Sequence, residues 1–371
     1  MTPLPNGINA ETILHHTTDG IYVTDLKCRI LYWNKAAERI TGWSAEEVIG
    51  VPCHNDVLVH VDRKGKPLCK PGLCPLHRAM ASDRQSKSAV LLFAKKKDGS
   101  RVPVTVSVAP LRNKDGKVIG GVEVFRDETE RIRNLRRARQ IQHHVMSFEK
   151  PKGKICFETV YHPVEAIGGD YFNIRTLKNG KHAFLMADIT GHGTAAALYT
   201  MALHAMWQER SPLHHQPARL FTVLNNDLEN IFLGDSFCSA FMGVVDPLTG
   251  RVVYASAGHP PPLVRHKDGS LDKLEPLDML LGTIKNQKYQ QVEYELKPGE
   301  LLFLFSDAAF ETADPKGLAF GHDRLADLLR EADPADCPGF LAKLEDNLLK
   351  HSQTVALDDD LTLMTVLNNG Q

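Results

Sequence analysis

Four separate stretches of this chain run from apolar residues into or out of aspartate. "KHAFLMADITGHG" carries an apolar run, Ala183 to Ala187, into Asp188 and a tight Gly191-His192-Gly193 turn. "ELLFLFSDAAFETAD" carries Leu301 to Phe305 into Ser306-Asp307. "ETVYHPVEAIGGD" leads from Glu158 through a turn to Asp170, and "ALDDDLTLMTVL" sets Asp358, Asp359 and Asp360 just before a last apolar run. Apolar runs of this length read as buried strands. Aspartate is disfavoured inside strands, so a single acid at a strand end reads as a turn residue. Four such acids, two of them beside glycine-rich turns, call for a fold that gathers strand ends.

The chemistry suited to such a gathering is hydrolysis assisted by divalent metal. Hard cations such as Mg²⁺ and Mn²⁺ take oxygen ligands. Two of them roughly 3.5–4 Å apart need a bridging carboxylate and several terminal ones. Clustered carboxylates repel one another unless cations lie between them. The segment "AIGGDYFN" leaves another chemistry open, because cyclic di-GMP cyclases carry a Gly-Gly-acid-Glu-Phe turn. Against that reading, Tyr171 stands where a second acid is needed, and the motif comes only some twenty residues after a helical linker.

The bulk properties restrict the remainder. The 371 residues suggest about two domains. Lys+Arg and Asp+Glu number 44 and 45, so no net field favours nucleic acid or an anionic membrane. The first twenty residues lack a basic region followed by an apolar run, and no stretch is apolar enough for a membrane span. Seven scattered cysteines fit a reducing compartment, and a cytoplasmic location is expected.

A helical stretch near 127–147 divides the chain. Ile132, Leu135, Ala138, Ile141 and Val145 recur at steps of three and four, and five arginines fall between 131 and 139. The bland reading is a solvated helix; the functional one is a signalling helix that pairs in a homodimer. Before it, "GIYVTD" and "RILYWN" read as strands, and Ser44 with Glu47 forms a capping box. Three further strands follow, joined at Asp98-Gly99 and Asp115-Gly116. The expected unit is an antiparallel sheet with helices to one side.

Within that unit, "GVPCHNDVLVHVDRKGKPLCKPGLCPLHRAM" holds Cys53, Cys69 and Cys74 with His54, His60 and His77. Cys53, His60, Cys69 and Cys74 form a candidate zinc, iron–sulfur or redox site, and Pro71-Gly72 is expected to turn Cys69 toward Cys74. The spacing matches no CxxC pair, so bystander thiols remain the alternative.

Residues 10–128 resemble a PAS domain through "DGIYVTD", "ILYWNKAAERITGW", "EEVIG" and "KDGSRVPVTVSVAPLRNKDGKVIGGVEVFRDETE". The resemblance implies a five-stranded sensor sheet for an unnamed ligand. Residues 150–368 resemble the PPM-type phosphatases of the SpoIIE/RsbU branch, bacterial relatives of PP2C. The motifs "IGGDYFN", "MADITGHGTAAAL", "ASAGHPPPLV", "LFLFSDAAFETAD", "FGHDRL" and "LDDDLTLMTV" come in family order. That resemblance implies an α+β chain: a PAS sheet, a linker helix at 129–148 and a β-sandwich flanked by helices. It implies two Mn²⁺ or Mg²⁺ ions held by Asp170, Asp188, the Ile189 carbonyl, Asp307 and Asp359, with Asp188 bridging. Gly191 and Gly193 shape the turn before an anion-favouring helix terminus. The implied activity is hydrolysis of phosphoserine on a partner protein, typically an anti-sigma-factor antagonist of the STAS class.

Three positions bear on whether the enzyme is live. Ala308 replaces the family's usual glycine, which would cost about 1 kcal/mol if φ were positive there. Asn173 replaces a usual acid. His192 and His259 read as turn and packing residues rather than bases. The alternative functions are a catalytically impaired phosphoprotein-binding or sensing module and, more distantly, a diguanylate cyclase.

Overall fold

Two Asp-Gly turns close the front sheet, with Gly99 and Gly116 at φ 83 and 79. The computed structural model describes residues 10–70, 72–86, 88–191, 193–275, 278–354 and 357–370. Pro71 and His192, both assigned above to turns, lie outside the described residues. The chain divides into two compact units, Met1–Asn134 and Leu135–Gln371.

The front unit contains β1 (Gly20–Asp25), β2 (Ile30–Trp33), β3 (Val90–Lys95), β4 (Arg101–Arg112) and β5 (Val118–Asp127). They form one antiparallel sheet in the order β2-β1-β5-β4-β3. Val102, Val104, Val106 and Val108 alternate along β4 and enter the core with Tyr22, Trp33, Leu76 and Phe125. The helix Pro75–Ser82 contributes Leu76, Ala79 and Met80 to the same core. Ser44 and Glu47 make the expected reciprocal cap on a short helix.

The second unit is a sandwich of two five-stranded sheets. Its strands are β6 (Ile155–His162), β7 (Asp170–Thr176), β8 (His182–Ile189), β9 (Cys238–Val245), β10 (Arg251–Ala257), β11 (Leu263–Arg265), β12 (Leu271–Lys273), β13 (Val292–Glu295), β14 (Leu301–Phe305) and β15 (Leu361–Asn368). The sheet orders are β13-β10-β9-β8-β7 and β12-β11-β14-β15-β6. Three apolar layers hold the unit together. Phe184, Met186, Phe241, Leu302, Leu304, Met364 and Val366 fill the space between the sheets. Helices Thr194–Glu209 and Pro217–Glu229 cover the outside of one sheet with Leu203, Trp207, Leu220 and Phe221. Helices His322–Arg330 and Cys337–Ser352 cover the other with Leu325, Leu329, Phe340 and Leu344. Each buried side chain of this size contributes about 1.5–3 kcal/mol.

The dividing helix spans Thr129–Met146. Ile141, from its apolar stripe, is 61% exposed, whereas Gln142 and Met146 are buried. No helix among the described residues is long and apolar enough to cross a membrane.

Candidate active site

Strand parity brings the acids together. Along β8, Ala183, Leu185 and Ala187 pack toward the helices, and Phe184 and Met186 toward the facing sheet. Asp188 continues the second series, so it emerges between the sheets at the strand's end. In β7, Tyr171 joins the helix side and Ile174 the inter-sheet side, which Asp170 shares. Asp170 and Asp188 are direct cross-strand partners. From the opposite sheet, Met364 and Val366 face inward, and Thr362 shares their parity. Its hydroxyl donates to Asp170 Oδ2 at 2.5 Å. Asp307 follows β14 after Ser306 and opens the one-turn helix Ala308–Glu311.

The charges report the same convergence. Burial and then the neighbouring Asp188 push the Asp170 carboxyl well above the usual range. Asp188 is raised to about 7 by burial and by Asp307 and Asp359. Asp307 is raised to about 6 by burial, Asp359 and Glu311. No lysine or arginine stands among the main influences on these three acids. A cluster of oxygen donors that repel one another, with no lysine or arginine among its leading influences in the described residues, fits a hard divalent cation. Among the described residues, no three His, Cys, Asp or Glu side chains form a closed ligating group.

The adjacent aspartates at the start of β15 have different surroundings. Asp360 is buried, and its oxygens accept from the Val164 N–H at 2.8 Å and the Gly169 N–H at 2.6 Å. It clamps the loop that carries Asp170. Asp359 is exposed, accepts from the Asp360 N–H at 2.8 Å, and acts on Asp188 and Asp307.

The two glycines of the GGD segment answer to crowding. A Cβ on Gly169 would lie 2.8 Å from the Ile189 carbonyl oxygen, and one on Gly168 would lie 2.4 Å from Asp360 Oδ2. Only glycine lets these backbones approach so closely. Gly191 and Gly193 hold φ 89 and 80, and Gly193 precedes the helix Thr194–Glu209.

Tyr171 is fully buried, and its hydroxyl lies 3.2 Å from His204 Nδ1. The GGDYF segment is therefore the entry into a sandwich strand, not an exposed turn. Asn173 is buried and accepts from Trp207 Nε1 at 3.0 Å, which gives it a packing role. His259 is buried, and burial pushes its pKa down to about 3. Ala308 is the first residue of its helix and is absent from the positive-φ positions. The strain that a positive φ would impose there does not arise.

Sequence reasoning missed Gln142. Its amide nitrogen donates to the Gly168 carbonyl at 3.0 Å, and its oxygen accepts from the Gly168 N–H at 3.3 Å. A glutamine in an arginine-rich helix carries no signal of such a contact. In the front unit, Cys53, His60, Cys69 and Cys74 line one cavity together with Cys28, which sequence spacing did not connect to them.

The model of Stage II sporulation protein E matches residues 178–367, more than half of the chain. The chain belongs to the SpoIIE family. A PAS domain model matches residues 18–130, so the front unit is a PAS domain. Two curated relatives come from Bacillus subtilis (strain 168). Phosphoserine phosphatase RsbP is 25% identical over 225 residues, covering 60% of this chain and 53% of the relative. Phosphoserine phosphatase RsbU is 27% identical over 205 residues, covering 55% and 60%. This SpoIIE-family chain thus spans little more than half the length of those relatives. The PP2C domain of SiaA from Pseudomonas aeruginosa aligns with TM-score 0.56 and 19% identity, covering 64% of this chain and 97% of that domain. That likeness shows the shared sandwich fold.

Proposed function

We propose that the second unit is a Mn²⁺- or Mg²⁺-dependent protein serine/threonine phosphatase acting on phosphoserine in a partner protein. The observation that carries this reading is the meeting of Asp170, Asp188, Asp307 and Asp359 at one end of the sandwich, with no lysine or arginine among the leading influences on the first three in the described residues. Asp188, Asp170 and the Ile189 carbonyl would hold one ion, and Asp188 with Asp307 and Asp359 would hold the other. When bound, such a pair of ions acidifies a water and neutralises phosphoryl oxygens. The protein's own part is positioning. Thr362 orients Asp170. Asp360 and Gln142 hold the Gly168-Gly169 loop.

The substrate assignment draws on the two similar phosphoserine phosphatases. A STAS-class anti-sigma-factor antagonist in the cytoplasm is the proposed partner, and seven free cysteines fit that compartment. The Thr129–Met146 helix is proposed to carry the PAS state, within a homodimer, to the metal site. Gln142 supports this, because it joins that helix to the loop leading into Asp170.

Asp188→Ala tests the reading. Mn²⁺-dependent hydrolysis of p-nitrophenyl phosphate should fall on the order of 10³-fold, several kcal/mol of lost transition-state stabilisation. The far-ultraviolet dichroism should stay unchanged, since the substitution removes a repelling charge. Undiminished hydrolysis refutes the assignment.

A further inference from the structure

Four of the seven cysteines lie in the front unit, and all four line one cavity of about 300 Å³. They arrive from separate places in the chain. Cys28 sits in the turn between β1 and β2, Cys53 follows the second strand's short helices, and Cys74 caps the helix Pro75–Ser82. Cys69 lies in the loop just before that helix. Backbone bonds fasten these loops. The Cys53 N–H donates to the Cys28 carbonyl at 2.9 Å, and the Cys74 N–H donates to the Lys70 carbonyl at 3.0 Å. The Cys28 and Cys53 thiols are close enough to shift each other's acidity.

Thiols that merely fill a core would be packed shut. Here Cys28, Cys69 and Cys74 are only half-buried, and space remains between them. The backbone around them is strained. Cys28, Asp56 and Val59 hold φ 60, 65 and 35. A left-handed turn accepts glycine or asparagine freely, and a cysteine there is strained. A β-branched residue with positive φ is an outlier that surrounding structure must hold in place. The cavity wall also contains a buried imidazole. His60 is 3% exposed, and among the described residues its Nε2 makes no hydrogen bond, with Glu123 Oε1 3.6 Å away. Lys27 and Lys70 line the same space and favour anionic ligands within it.

A lone zinc ion holds four sulfurs within about 2.3 Å of one point, which packs them against one another. Here the four thiols border an open space of about 300 Å³. A polynuclear cluster instead takes its cysteines from around a space. The geometry points to an iron–sulfur cluster bound in the PAS unit by Cys28, Cys53, Cys69 and Cys74. This site is independent of the phosphatase reading and would stand if that reading fell.

The test is metal analysis of the full chain purified anaerobically. Iron and acid-labile sulfide should be present in equal amounts, with visible charge-transfer absorption. Cys28→Ser, Cys53→Ser, Cys69→Ser and Cys74→Ser should each lose both, and Cys156→Ser in the second unit should keep both. Cys28→Gly separates ligation from folding. It relieves the positive φ, so thermal stability without bound iron should hold or rise while iron and sulfide are lost. Bound zinc without sulfide, absence of iron and sulfide from the unsubstituted chain, or full iron content in Cys28→Gly overturns the proposal.

Discussion

The two units gather opposite kinds of donor and build them differently. In the second unit, hard carboxylates come from the ends of paired strands, placed by the alternation of a rigid sandwich. In the front unit, soft thiols come from turns and loops, placed by a few backbone hydrogen bonds. The contrast follows from charge. Carboxylates repel, so only a stiff frame holds them near one another before a cation arrives. A protonated thiol is neutral, so thiols can gather around one cavity without a stiff frame, and loops suffice.

Manganese offers the largest separation of the two. At a hundredfold excess over its dissociation constant it should stabilise the second unit by about 2.7 kcal/mol. Calorimetry of the full chain should show that unit's transition rising, the front unit's staying fixed, and chelation reversing the change. If both transitions moved, the division between hard and soft donors would be broken. Gln142→Ala sharpens the role of the frame. It leaves the buried Gly168 N–H without its amide partner, a loss of about 2 kcal/mol. Manganese affinity should weaken in titration calorimetry while the front unit's iron content is unaffected.

Ala308→Gly should lower the second unit's stability by about 1 kcal/mol, because glycine is the poorer residue in a helix. It should bring no gain in phosphatase activity. A rise in kcat would mean that the sheet alone does not place Asp307. The smallest effect concerns acid sensitivity away from either donor set. His214 is buried against Trp207, and burial pushes its pKa down to about 4. The unfolded chain protonates this histidine first, so stability is lost as pH falls from about 6.5 toward 4. His214→Gln should flatten that limb of the second unit's melting curve.

Much of the candidate site was legible because apolar runs mark β8 and β14 and acids follow both. Asp188 falls where strand parity turns inward, whereas Asp307 lies past the end of β14 at the start of a one-turn helix. The six motifs in order supplied the fold. Sequence could not separate the surroundings of Asp359 and Asp360, since only three-dimensional contact shows Asp360 bound to two backbone N–H groups. Gln142 was invisible for the same reason. In the front unit, spacing grouped Cys53, Cys69 and Cys74 but left out Cys28, because a residue twenty-five positions upstream joins them only through the folding of β1 against β2.

The pairing of β15 with β6 joins residues 361–368 to 155–162, and Asp360 reaches back to Val164 and Gly169. A chain still being translated cannot complete that closure until its distant strand has cleared the ribosome. Nascent copies therefore lack a closed sheet on that side of the sandwich, and cleavage that severs the segment bearing β15 would open it without touching the front unit.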